Sequence, residues 1–280
     1  MKRFVHDLSL FIAITVITSA APAGDLSLVP SGLLFRPLAA NTFEPRVGFI
    51  AQSSDNKLRL DIGNSIDLVQ YTADDVIAAF GADFFTYTYL RGEKNFHFPV
   101  DASDYLFGFN FSAAHRTDAG KLTARLRLSH ISAHFVDGHY VNAIGRWKDD
   151  RAPHVYSREF LDATAAFEPS ALHGSTRLYA GMIWLYHVDP TWLPKTSVSA
   201  GAEYHYEAAS QVNLFGAYQA TFMKITEAST RHTLNAGVKL GSWNGRGVEF
   251  YASVFSGYSI HGEYFDVKED YTGFGMNIDF

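Results

Sequence analysis

Apolar and polar residues alternate one by one through most of this chain, which is the period of a strand with two different faces. Between Lys121 and Phe135 the pattern is plain. Leu122, Ala124, Leu126 and Leu128 share one face, and Lys121, Thr123, Arg125 and Arg127 share the other. Beyond Leu128 the apolar face turns polar, with His130, Ser132 and His134 in its place. Likewise Tyr105, Phe107, Phe109 and Phe111 oppose Gly108, Asn110 and Ser112, and Leu234, Ala236, Val238 and Leu240 oppose Asn235, Gly237, Lys239 and Gly241. The alternation predicts about twelve strands: 46–53, 57–70, 79–90, 103–115, 121–135, 156–168, 176–188, 196–207, 211–224, 230–242, 246–258 and 270–280.

A soluble sandwich also alternates, but three features favour a closed transmembrane barrel. Many segments exceed the usual strand length of about five or six residues and suit a tilted membrane strand of about 9–11 residues. The connections are asymmetric: 116–120, 170–175 and 207–210 are short, while 91–102, 136–155 and 259–269 are long and polar. Short periplasmic turns and long extracellular loops alternate in this way. At the end of the chain, Phe274, Met276, Ile278 and Phe280 share one face. That ending resembles the assembly signal of bacterial outer-membrane barrels, which implies the barrel assembly machinery as a partner. The predicted fold is therefore all-β, a closed antiparallel transmembrane β-barrel of about twelve strands in the bacterial outer membrane.

The N-terminus reads as a secretory signal peptide over 1–23, with Lys2 and Arg3, an apolar run Leu8–Thr18 and the small-x-small site Ala21-Pro22-Ala23. Residues 24–45 carry Pro30, Pro37 and Pro45 and no sustained period. They are expected to form an extended periplasmic lead-in, with part of it packed inside a barrel spanning 46–280. The full chain has a net charge of −6, which argues against nucleic acid as a partner. With no cysteine, the fold must hold without disulfides. Aromatic residues at 15% suit strands and girdles, and Trp184, Tyr186, Tyr204 and Tyr206 are the expected girdle anchors.

The change of character after Leu128 has a place in such a barrel. A span starting at Leu122 ends near 130–132, so His130 and Ser132 are expected to face lipid at the outer-leaflet boundary. Residues i and i+2 of a strand lie about 6.6–7 Å apart on one face. An imidazole there can take the proton that makes a serine hydroxyl nucleophilic, if a third group fixes its tautomer. Glu159, on the same face as Leu161, Ala163 and Ala165, is the candidate. The pairing sets Glu159 against Ser132 or, two residues slipped, against His130; the sequence leaves both registers open.

The pieces LLFRPLAANTFEPR, LRLSHISAHF, YSRE and RLYAGMIWLYHVDP resemble a bacterial family known only as domain of unknown function 1207, over 33–206. That resemblance implies a surface or outer-membrane protein and no activity. Separately, His130-x-Ser132 resembles the His-x-Ser of two outer-membrane lipid hydrolases, outer-membrane phospholipase A and lipid A 3-O-deacylase. The likeness implies His130 as base, Ser132 as nucleophile and Glu159 as orienting acid, with outer-membrane lipids or lipopolysaccharide as partners. Those enzymes usually carry Asn after the serine, where this chain has Ala133. The phospholipase also implies calcium and a dimer, although no cofactor is evident in the sequence and nothing in it marks a calcium site.

Other readings stand beside this one. His130 and Ser132 also suit plain polar contacts above the hydrocarbon, in a non-enzymatic barrel that is a narrow channel or a structural or adhesive surface protein. A metal site from His130, His134, His139 and His154 matches no common ligand spacing. Arg125 and Arg127 are expected to pair with lumen carboxylates such as Asp162. Arg146, Lys148 and Arg151 suit either a solvated loop or lipid A phosphates, and the His187–Pro190 turn reads as structural.

Overall fold

The computed structural model describes residues 24–53, 56–172 and 175–280; the expected signal peptide lies outside the described residues. The chain forms fifteen strands among the described residues. They are β1 (Asp25–Leu28), β2 (Val47–Gln52), β3 (Lys57–Ala73), β4 (Val76–Arg91), β5 (Val100–Thr117), β6 (Gly120–Phe135), β7 (Tyr140–Val141) and β8 (Arg146–Trp147). They continue with β9 (Tyr156–Pro169), β10 (Thr176–Asp189), β11 (Thr196–Ala209), β12 (Val212–Lys224), β13 (Ala228–Gly241), β14 (Gly247–Tyr258) and β15 (Lys268–Asp279). Twelve of them, all but β1, β7 and β8, pair antiparallel with their neighbours in chain order, and β15 closes on β2 through Gly273–Ile278. Closure gives the wall the continuous pairing that a spanning sheet requires, apart from the stretch of β3 between its β2 and β1 partners. β7 and β8 form a small hairpin inside the 136–155 loop.

The alternation read from the sequence sorts the two faces. Leu122, Leu126, Leu128, Phe107, Phe109 and Phe111 point outward and are 42–56% exposed. The partners on the other face, Thr123, Arg125 and Arg127, are buried. A monomeric soluble protein does not present so continuous an apolar belt; a membrane barrel does. Trp184 and Tyr186 stand outward at one end of the belt, while Tyr204 and Tyr206 do so at the other.

Inside, charge is paired. Arg125 makes a bidentate pair with Glu44, at 2.9 and 2.6 Å. Arg127 meets Asp162, as expected. Arg59 meets Asp61 at 2.6 Å, and Arg177 meets Glu203 at 2.9 Å. The lead-in supplies much of the filling. After β1 pairs with β3 residues Val69–Thr72, the chain turns inward and returns to the wall only at β2, which pairs with β3 residues Leu58–Asp61. Phe35, Leu38 and Glu44 are buried within the barrel. With three prolines this segment cannot join a ladder, so its carbonyls need side-chain donors. Lumen residues provide them: Arg177 donates to the Arg36 and Pro37 carbonyls, Asn235 to Ala39, Arg59 to Thr42 and Arg127 to Phe43, at 2.7–3.1 Å.

At the other end, the long loops fold over the mouth. Asp104 is fully buried, accepting from the Gly262 N–H at 2.7 Å and contacting His261 Nδ1 at 2.9 Å. Glu263 is 1% exposed and lies 3.0 Å from His154 Nδ1. Burial raises its carboxyl to about 7.

Candidate functional site

Three neighbouring strands leave the apolar belt at the same level. On β6 the outward series passes from Leu128 to His130, and on β9 it passes from Leu161 to Glu159. On β10 it passes from Trp184 and Tyr186 to His187. The β6–β9 register sets His130 directly opposite Glu159 and Ser132 opposite Ser157. This is the second of the two registers the sequence left open. Opposite residues of an antiparallel pair share a face with their Cβ atoms about 4.5–5.5 Å apart, so the geometry brings His130, Ser132 and Glu159 into one exterior patch.

Glu159 Oε1 lies 2.7 Å from His130 Nδ1. The carboxylate accepts the Nδ1 proton, and in the neutral imidazole that tautomer makes Nε2 the acceptor. Phe107, opposite His130 on β5, packs against its ring with centroids 5.0 Å apart and limits its rotation. Side chains of His130 and Glu159 are 28% and 26% exposed, so both remain reachable from outside. Ser132 shares this face two residues further along β6, flanked in register by Tyr105 and Ser157. No hydrogen bond joins Ser132 to His130 among the described residues. Ser157 Oγ donates to Glu159 Oε1 at 3.4 Å.

The sequence reading missed His187. Its Nδ1 lies 2.5 Å from Glu159 Oε2, so the carboxylate bridges two imidazoles. Strict alternation places His187 in the lumen, behind Leu185. A β-bulge between Leu185 and His187 adds one residue and turns His187 outward. The signal is the spacing Leu185-Tyr-His-Val188, in which two buried apolar residues stand three apart instead of two.

The four-histidine metal site does not assemble. His139, within the 136–155 loop, is fully buried and stacks on Phe135, whereas His130 faces outward. Among the described residues, no group of three or more His, Cys, Asp or Glu is placed to hold a metal. Calcium needs roughly six to eight oxygen ligands, and both oxygens of Glu159 are engaged by imidazoles. The residues around Ser132 do not fit that ion. In the loop, Arg151 is fixed by Asp266 and the Glu263 carbonyl, both at 2.9 Å.

The model of a family described as protein of unknown function, DUF1207, matches residues 13–280. The chain belongs to this family. A search of curated protein sequences gives no match. Among solved structures, this DUF1207 chain is similar to outer membrane phospholipase A from Escherichia coli, with a TM-score of 0.53 at 12% identity over 87% of this chain and 93% of that one. An active-site variant of the same enzyme at pH 6.1 gives 0.56 at the same identity and coverage. At such identity the likeness concerns the fold: an outer-membrane-type β-barrel of twelve strands.

Proposed function

We propose that this DUF1207 protein is an outer-membrane acyl hydrolase acting on phospholipid or lipid A through a serine ester. One observation carries the reading: Glu159 holds His130 by Nδ1, on the same outward face as Ser132, where the apolar belt ends. In a bacterial outer membrane that level meets the ester bonds of the outer leaflet. The chain would reach that membrane through the signal peptide and the Phe280 assembly signal.

The chemistry follows from the placement. His130 Nε2 accepts the Ser132 Oγ proton as Oγ attacks the acyl carbonyl, and the imidazolium is stabilised by Glu159. The same proton goes to the departing alcohol oxygen when the C–O ester bond breaks. Water then attacks the acyl-serine carbonyl, His130 takes its proton and returns it to Ser132 Oγ as the acyl–Oγ bond breaks, and the fatty acid leaves. Serine and imidazole two residues apart on a twisted strand need only a side-chain rotation to meet, and such bonds tighten when substrate is bound. Tyr105 and Ser157 stand opposite Ser132 in the ladder, and Ser157, on releasing Glu159, has a proton to donate to the developing oxyanion.

Lipid profiling of cells expressing the wild-type chain or Ser132→Ala tests the reading. Release of acyl chains by wild type alone supports it, and equal release removes it. A second reading, a non-enzymatic barrel with a polar boundary patch, is favoured by the missing Ser132–His130 bond. The packed lead-in weighs against a channel, which needs an open charged constriction.

A further inference from the structure

The loop-end half of the lumen holds a second polar site, independent of the exterior histidines. Four lumen arginines, Arg59, Arg125, Arg127 and Arg177, each meet a carboxylate. Arg158 and Arg231 form no ion pair among the described residues. Both point inward: Arg158 lies opposite the fully buried Ile131, and Arg231 is 7% exposed. Their guanidinium carbons lie 5.5 and 5.6 Å from the centroid of one ring, that of Phe43.

Arg231 donates through Nε and Nη2 to the carbonyls of Tyr258 and Ser259, each at 2.9 Å. Arg158 Nε is buried without a hydrogen-bond partner. Both residues border a cavity of about 80 Å³, which is also lined by Ser199 and Thr221. The one carboxylate on its wall, Asp162, is already committed to Arg127 and to the Thr164 hydroxyl.

Two cations beside one cavity repel each other, and a buried charge without an ion-pair partner is costly. The Phe43 ring offers cation–π attraction but no net negative charge. Guanidinium groups bind oxyanions with charge-assisted hydrogen bonds, and hydroxyls add donors; the Thr221 hydroxyl accepts from Gln219 at 3.1 Å and keeps its own proton to give. We infer that this cavity binds a small oxyanion of the phosphate or sulfate class, held between Arg158 and Arg231 with Ser199 and Thr221 donating to it.

Titration calorimetry of the full chain folded in detergent micelles tests this, with sodium phosphate and sodium sulfate added against sodium chloride of matched ionic strength. The expected result is saturable binding of at least one oxyanion, near one ion per chain, weakened threefold or more in Arg158→Gln. That variant loses no hydrogen bond present in the structure, and circular dichroism checks that its β content is intact. Failure of both oxyanions to bind the wild-type chain overturns the inference. So does an affinity of Arg158→Gln within threefold of wild type.

Discussion

His187 Nδ1 sits 2.5 Å from Glu159 Oε2, on the carboxylate oxygen that His130 leaves open. The two histidines thus have unequal parts in the proposed reaction, since only His130 shares a strand with Ser132. Glu159→Gln should lower acyl release at least tenfold, because the amide can impose the wrong His130 tautomer. His187→Ala should lower it only a few-fold, because the Oε1 contact survives. Fatty-acid release by the purified barrel in mixed micelles measures both. A larger loss in His187→Ala than in Glu159→Gln would contradict these roles.

Glu44 joins the lead-in to the wall through its bidentate pair with Arg125, and both side chains are almost fully buried. Glu44→Gln leaves a guanidinium in the lumen without its charge partner. Breaking a buried pair in this way costs about 3–5 kcal/mol. The expected outcome is a lower urea midpoint for the folded barrel. Replacing both members, as in Glu44→Leu with Arg125→Met, should recover much of that loss.

Leu126 lies in the middle of the outward face of β6. If the belt meets hydrocarbon, Leu126→Arg should cost about 2–4 kcal/mol in a lipid bilayer. The same change on a water-facing surface costs almost nothing. Unfolding in vesicles, compared with Leu126→Ala, separates the two cases.

Glu263 provides a pH signature outside the spanning strands. Its carboxyl is raised by burial to about 7 in the folded loop, from an ordinary 4.5. The native state therefore holds this proton more tightly than the unfolded chain does. The associated stability is fully present below the unfolded value and is lost as pH rises through about 7. The loss amounts to about 3 kcal/mol at most. Burial shifts neighbouring His154 downward, a contribution lost on acidification and therefore already complete near pH 8, where the variant is read. Glu263→Gln should slow hydrogen exchange of the 136–155 loop near pH 8 and leave it little changed near pH 4. Equal exchange in both proteins near pH 8 would refute the assignment.

The wall was largely legible because its period is short and its two environments differ so strongly. All twelve predicted barrel segments are strands, and Arg127 meets Asp162 as its position on the polar face suggested. What escaped depends on relations a period does not carry. β1 has only four residues and is fixed by the edge of β3, not by any pattern of its own. The β6–β9 register depends on how a twenty-residue loop folds, which left Glu159 facing either Ser132 or His130. His187 was hidden by a single inserted residue, and Glu44 by a segment whose partners come from distant strands.

The interruption between β1 and β2 has a consequence for assembly. The first stave of the barrel is made of two short lengths, and the chain between them occupies the hollow that the other eleven staves enclose. β15 grips only the second length, through Val47–Gln52. Seating Phe35, Leu38 and Glu44 in the hollow therefore also sets where the strand that β15 grips begins, which ties the seam of the hoop to its filling.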